Sequence, residues 1–224
     1  MKNLCAVIPA RLKSSRIEHK MLLPFCDCNL LEWKIRQLKC VLPKKQIFVS
    51  TESDELAKFA HRYGVGVHKR EYYLAQGHLA SFSEVIVGIV KDLSFEHIAW
   101  ITAVVPLMGP NDYLRAFQAY EEQICALHNY DSLFSANILK EYFWSENGAL
   151  NYNANKMHTI SQNLPNLYRV TNGLYMRDRE SILKEGYFLG KNPLKFCVSK
   201  LAGIDIDEYQ DYEIAKALLR LYKD

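Results

Sequence analysis

The sequence predicts an α/β protein built on a doubly wound, mostly parallel sheet, and three observations carry that expectation. Short runs of branched apolar residues alternate with segments of helical spacing through the first half of the chain, the pattern of strand–helix–strand units. The first run, Leu4-Cys5-Ala6-Val7-Ile8, shows no polar alternation, as suits a strand covered on both faces. The length, 224 residues, suffices for one domain with a sizeable core, so residues 1–224 are read as one unit.

Each element has its own warrant. Pro9 ends the first strand by removing a ladder donor. Leu31, Ile35 and Leu38 share one face of a helix expected from Leu30 to Val41. Gln46 to Ser50 reads as the second strand. Thr51 or Ser53 caps the next helix, whose apolar face is Leu56, Phe59, Ala60 and Tyr63, and Gly64 stops it. Val65 to His68 is a third strand that delivers Lys69 and Arg70 at its carboxyl end. Ser81 suits the N-cap of a helix bearing Phe82, Val85, Ile86, Ile89 and Val90. His97 to Thr102 reads as the central strand, and Gly109-Pro110-Asn111-Asp112 opens another helix. Ser132 to Ala136, Asn172 to Met176 and Lys195 to Val198 supply further strands. Ile204-Asp205-Ile206-Asp207 reads as a strand end before a last helix, Tyr209 to Tyr222. Between them, Glu141 to Asn166 is rich in Asn, Ser and aromatics and lacks a period. It reads as an excursion from the sheet, either a partner surface or a loop folded over its own domain.

Composition narrows the function. A net charge of +3 is too small to argue for nucleic acid. No apolar run reaches the roughly 18–20 residues of a membrane span. Met1-Lys2-Asn3 leads straight into a strand without a signal-like segment, so a cytoplasmic protein is expected. The six cysteines are scattered, and Cys26-x-Cys28 suits a turn better than a zinc site. No histidine pairs with a Ser or Cys in a hydrolase pattern. His78 is the one worth watching.

The charge that matters is local. Arg11, Lys13, Arg16 and Lys20 follow the first strand within a few residues, with Ser14 and Ser15 between them. In parallel sheets ligands lie beyond the carboxyl ends of the strands, where backbone N–H groups and cations can cradle phosphate. The same composition also describes a solvated basic turn.

The order of residues separates the two. Pro9-Ala10-Arg11-x-x-Ser14-Ser15-Arg16-x-x-x-Lys20 resembles the first motif of the cytidylyltransferases that make CMP-activated acidic sugars, the CMP-sialic acid synthetase family. Arg70, Leu74-Ala75 and Ser81 resemble a second family segment, with Gly77 where that segment usually has Asp. Thr102 to Met108 keeps only Pro106 and Leu107 of a loop that helps bind the sugar. Phe143-Trp144, Gln162-x-Leu164-Pro165-x-x-Tyr168, Asn172-Gly173-Leu174-Tyr175 and Ile204-Asp205-Ile206-Asp207 follow the remaining motifs in order.

The resemblance implies a nucleotide-diphospho-sugar transferase-like fold. It implies transfer of CMP from CTP to a nonulosonic acid, or to Kdo, with release of pyrophosphate, and a homodimer held by a protruding segment at 141–170. Arg11, Arg16 and Lys20 are expected on the triphosphate, with Arg11, Lys20 and Asp205 as catalytic groups, and Lys20, as a loop lysine, is expected to be solvated in the free protein. Pro9, Ala10, Ser14, Ser15, Arg70 and Ser81 complete the nucleotide site. Thr102, Gln162, Asn172, Gly173 and Tyr175 fall to the acceptor, and Arg169 to its carboxylate, unless Arg169 is simply solvated. Asp205 and Asp207, two apart on a strand, would face one way and share Mg²⁺. Alternatively, Asp207 caps the last helix with Gln210. Other acceptors, such as a phosphonate or polyol phosphate, and a nucleotide-binding homologue without catalysis are the rival expectations.

Overall fold

The computed structural model describes residues 3–77 and 79–222. His78 lies outside the described residues. One sheet contains β1 (Leu4–Pro9), β2 (Ile47–Thr51), β3 (Gly66–Lys69), β4 (His97–Ile101), β5 (Ser132–Leu139), β6 (Leu167–Asp178) and β7 (Pro193–Cys197), in spatial order β7-β5-β6-β4-β1-β2-β3. β6 runs antiparallel to β4 and β5. The pairs β4–β1, β1–β2, β2–β3 and β5–β7 are parallel.

Helices α1 (Leu30–Lys39), α2 (Asp54–Tyr63), α3 (Tyr72–Ala75), α4 (Phe82–Val90), α5 (Pro110–Tyr120), α6 (Arg179–Glu185) and α7 (Tyr209–Leu218) connect and cover the strands. β1 shows why the sheet is covered on both sides. Leu4, Ala6 and Ile8 pack with Leu31, Ile35, Leu56, Tyr113 and Phe117 on one face. Cys5 and Val7 pack with Ile86, Ile89, Val90 and Ile182 on the other. Each large aliphatic side chain buried this way contributes roughly 1.5–3 kcal/mol.

The helix ends follow the expected chemistry. Ser53 Oγ accepts the Leu56 N–H, and Gly64 closes α2 at φ 67, where a side chain would be strained. Ser81 and Glu84 form a reciprocal box at the start of α4. At α7 the capping differs from expectation. Asp211 Oδ2 accepts the Asp207 and Glu208 N–H groups at 3.0 and 2.8 Å, so neither Asp207 nor Gln210 supplies the cap.

Two expected boundaries move. Residues 201–207 are irregular, not a strand. They are pinned by the Ile206 N–H to Val104 O and by Ile206 packing against Ile17, Phe25 and Tyr212. Leu167 to Val170 pair with β5, so the excursion ends before them, not at 170. The excursion folds on itself through a small hairpin, Trp144–Ser145 with Gly148–Ala149, and a cluster of Tyr142, Tyr152 and His158. Trp144 is 62% and Met157 74% exposed. No helix among the described residues is long and apolar enough to cross a membrane.

Candidate active site

The carboxyl ends of β1, β3 and β4 open onto a cleft of about 600 Å³. Pro9 and Arg11 enter it from β1, Arg70 from beyond β3, Thr102 from beyond β4, and Asn172 and Tyr175 from β6. Asp205 and Asp207 close the side formed by the chain's last irregular segment. A smaller adjoining cavity of about 180 Å³ is lined by Arg11, Ser14, Ser15, Arg16, Lys20 and Asp207. The basic loop and the carboxylates, far apart in sequence, therefore meet.

The loop is held from below. The Leu12 N–H donates to Glu52 Oε1 at 3.0 Å, just beyond β2. Lys20, expected to be solvated, is buried: Nζ donates to Ile206 O at 2.6 Å and Asp207 O at 3.3 Å. Burial lowers its pKa, opposed chiefly by Asp207 and Asp205. An ammonium has three N–H donors, so one remains for a ligand in the smaller cavity. Arg16 reaches over the top to pair with Asp207 Oδ1 at 2.9 Å, an exposed contact worth little by itself.

Asp205 is set by a β-bulge. The β5–β6 register shifts between Val170 and Tyr175, and Asn172 adopts φ 56 within the shift, a left-handed conformation that Asn tolerates. Its Nδ2 donates to Asp205 Oδ2 at 2.8 Å, its Oδ1 accepts from Tyr175 OH at 2.7 Å, and its O accepts from Thr102 Oγ1 at 2.7 Å. Gly173 follows because a Cβ there would come within 2.8 Å of Met108 Sδ; it acts by its absent side chain. Asp205 Oδ1 is buried without a hydrogen-bond partner among the described residues. Burial raises the Asp205 pKa against the Asn172 hydrogen bond. An orphaned carboxylate oxygen beside a second carboxylate and a phosphate-sized basic cavity fits a hard, oxygen-liganded cation. No group of three or more metal-ligating side chains exists among the described residues, so such an ion would complete its shell with ligand and water.

Arg70 is 5% exposed, and no carboxylate among the described residues touches it. Burial pulls its pKa down to about 10, with Glu52 opposing. A buried cation without a contacting acid, on the wall of a cleft, favours an electron-rich ligand.

Opposite the charges, the cleft is aromatic. Phe82, Trp100, Tyr175 and Tyr187 line it. All four pack on the buried Phe188, with Trp100 and Tyr175 ring centroids each 4.9 Å from it. Tyr187 and Phe188 had no motif to announce them. The usable signal was an aromatic pair directly after Gly186, which ends α6 at φ 69; apolar residues after such a cap pack back on the helix.

Several expected residues lie elsewhere. Ser81 caps α4 and is not part of the cleft lining. Gln162 sits exposed on the excursion, its backbone O accepting from Lys140 Nζ. Arg169 Nη2 is occupied by Asn137 Oδ1 at 2.6 Å and Gly203 O at 3.3 Å, so it braces the 201–207 segment. Of the altered loop, Thr102 and Val104 reach the cleft, whereas Val105 and Met108 are fully buried in the core. The buried Lys34 explains that inward turn. Its Nζ donates to Val105 O, Met108 O and Tyr113 OH at 2.9, 3.2 and 2.7 Å, while Trp33 and Gln37 bond Pro106 O.

The cytidylyltransferase family model matches residues 5–221. The chain belongs to this family. It is 27% identical over 234 residues to the pseudaminic acid cytidylyltransferase of Campylobacter jejuni subsp. jejuni serotype O:2, covering 99% of this chain and 97% of that protein. It is 24% identical over 235 residues to the post-translational flagellin modification protein B of Campylobacter coli, covering 98% and 96%. Among solved structures, a CMP:2-keto-3-deoxy-manno-octonic acid synthetase complexed with CTP superposes with TM-score 0.67 at 14% identity, over 97% of this chain and 98% of that one. That likeness establishes the nucleotidyltransferase fold.

Proposed function

We propose that this cytidylyltransferase transfers CMP from CTP to an acidic nine-carbon sugar, a nonulosonic acid, and releases pyrophosphate. The observation that carries this is one continuous cleft with a cationic, carboxylate-bearing end and an aromatic end. The sugar hydroxyl attacks the α-phosphorus and gives its proton to solvent, the bond to the bridging oxygen breaks, and the leaving pyrophosphate takes the electron pair. Such chemistry needs alignment and charge neutralisation more than covalent help. Arg11, Arg16 and the remaining Lys20 N–H neutralise the triphosphate, Ser14 and Ser15 hydrogen-bond it, and Arg70 with Pro9 holds the cytidine end. Ala10, fully buried with its N–H donating to Ser50 O and its O accepting from Arg70 Nη2, braces Arg70 from behind. Asp205 and Asp207 are the residues that would hold Mg²⁺, which when bound offsets charge developing on the phosphates. Asn172, through its bulge, fixes Asp205 and stands where the acceptor must pass.

The aromatic end suits an acceptor whose substituents are acyl or methyl groups in place of a chain of hydroxyls. Relatives named for pseudaminic and N,N'-diacetyllegionaminic acid support that choice. CTP chemistry and six free cysteines fit a reducing cytoplasm. The excursion, with Trp144, Leu150, Met157 and Ile160 more than half exposed, is proposed as the face of a symmetric homodimer. A monomer by light scattering at micromolar concentration would refute the dimer. For the reaction, pyrophosphate release is measured from CTP and Mg²⁺ with N-acetylneuraminate, deoxygenated diacylamido nonulosonates, Kdo and a polyol phosphate under one set of conditions. The deoxygenated acids should be fastest; a polyol phosphate as best acceptor would overturn the proposal.

A further inference from the structure

β2 and β3 carry a buried polar chain that the basic loop does not account for. Ser50 and His68 face each other in the parallel register of the two strands; Ser50 is fully buried and His68 8% exposed. Ser50 Oγ lies 2.9 Å from His68 Nδ1, and His68 Nε2 lies 3.2 Å from Asp92 Oδ2, just beyond α4. From the other side, Arg70 Nε donates to Ser50 Oγ at 3.3 Å, and Nη2 donates to Ser50 O at 2.6 Å and Ala10 O at 3.3 Å.

An aspartate, a histidine and a serine in contact suggest a hydrolase triad, but this serine oxygen is sealed from solvent and turned to a guanidinium, so no substrate can meet it. The protons run another way. A carboxylate only accepts, so His68 Nε2 carries the hydrogen that bonds Asp92. Nδ1 of the neutral ring is then an acceptor, and the Ser50 hydroxyl donates to it. That leaves the Ser50 lone pairs to Arg70 Nε–H. The His68 and Ser50 donors each meet an acceptor with this one tautomer. Nη1 is the guanidinium nitrogen without a partner among the described residues, on a side chain that lines the cleft.

We propose that Asp92, His68 and Ser50 are positioning residues that fix Arg70 so that its Nη1 is presented to the nucleotide. The role given to Arg70 rests on the CTP reading above; the proton arrangement does not. Fixing a long cation in advance lowers the ordering cost of binding without acting on the reacting phosphorus, so its loss should appear in KM for CTP and not in kcat.

Nitrogen NMR of the intact protein tests the arrangement directly: His68 should be neutral with hydrogen on Nε2 and none on Nδ1, and hydrogen on Nδ1 would overturn the proposal. Kinetics test the role. Ser50→Ala and His68→Phe should raise KM for CTP about tenfold with kcat within about twofold. His68→Asn, which keeps an acceptor near the position of Nδ1, should stay within about twofold of the unaltered enzyme in KM. Unchanged KM in folded Ser50→Ala and His68→Phe proteins, or equal losses in the Asn and Phe variants, would sink the positioning role. If the unaltered protein binds no CTP by calorimetry, the nucleotide reading falls and takes the role of Arg70 with it, whereas the His68 tautomer is decided by NMR alone.

Discussion

At one end of the cleft, Arg16, Lys20, Asp205 and Asp207 are held beside Arg11 by hydrogen bonds and ion pairs; at the other, Phe82, Trp100, Tyr175 and Tyr187 are held by packing on Phe188. The aromatic end is complete in itself, because each ring is satisfied by its neighbours. The ionic end is not. Among the described residues, Asp205 keeps a buried oxygen without a partner, Arg70 keeps a buried charge that no acid touches, and the Arg16 and Asp207 side chains pair with each other. Unsatisfied groups of this kind favour a phosphate-bearing ligand at a cost to the fold, a familiar trade between stability and activity. Changes at the unsatisfied Asp205 should thus separate activity from stability, and changes at the aromatic end should move acceptor use without touching CTP.

The largest expected effect is Asp205→Asn. Turnover should fall about a hundredfold or more, since charge developing in the transition state loses its counterpart. The unliganded variant should nevertheless melt no lower than the parent, and higher near neutrality. The sign follows from the raised Asp205 pKa. The folded protein holds this proton more tightly than the unfolded chain, so stability falls as pH rises from the ordinary carboxylate pKa through the raised one. Melting curves over roughly pH 4 to 7 should show that decline in the parent and lose it in the variant. A variant that melts lower at every pH would break the comparison.

Lys20→Ala comes next and sharpens it. CTP affinity should drop by about an order of magnitude, as expected for a charge-assisted contact worth roughly 1.5–3 kcal/mol. Unlike Asp205, Lys20 also supports the fold through Ile206 O and Asp207 O, so its loss should cost roughly 1–3 kcal/mol of stability. Calorimetry and thermal melts of the same sample read both. A twofold or smaller change in CTP affinity would remove Lys20 from the triphosphate site.

At the aromatic end, Tyr187→Ala should raise the acceptor KM roughly five- to tenfold and leave CTP binding unchanged, on the scale of one aromatic contact of about 0.5–1.5 kcal/mol. Acceptor titrations at saturating CTP give the answer, and a parallel loss of CTP affinity would show that the two ends are not separable. The smallest effect belongs to Ser81→Ala. It should cost about 1 kcal/mol through the lost α4 cap and leave KM for CTP where it was. A clear rise in that KM would return Ser81 to the nucleotide site.

The sheet and the basic loop were legible because their signals are local: apolar period in β1, caps at Ser53, Gly64 and Ser81, and cations in fixed order after Pro9. What escaped depends on partners without a sequence signature. Lys20 looked solvated because its acceptors are backbone carbonyls, and any residue type supplies those. Arg169 looked free because Asn137 and Gly203 reach it only through tertiary packing. The apolar residues at 104–108 fit either a cleft or a core, and the choice was made by a buried lysine on α1. Tyr187 and Phe188 join the site from a loop whose position no local pattern fixes.

The bond from Lys20 to Ile206 O spans 186 positions, and it orders events in time. A chain emerging from the ribosome exposes its basic loop early, but the carbonyls that seat Lys20 do not exist until Ile206 and Asp207 have been made. Contacts of such long sequence separation form late because the intervening loop must first be closed. A chain cut short before Ile206 should therefore present a basic loop whose Lys20 has no seat.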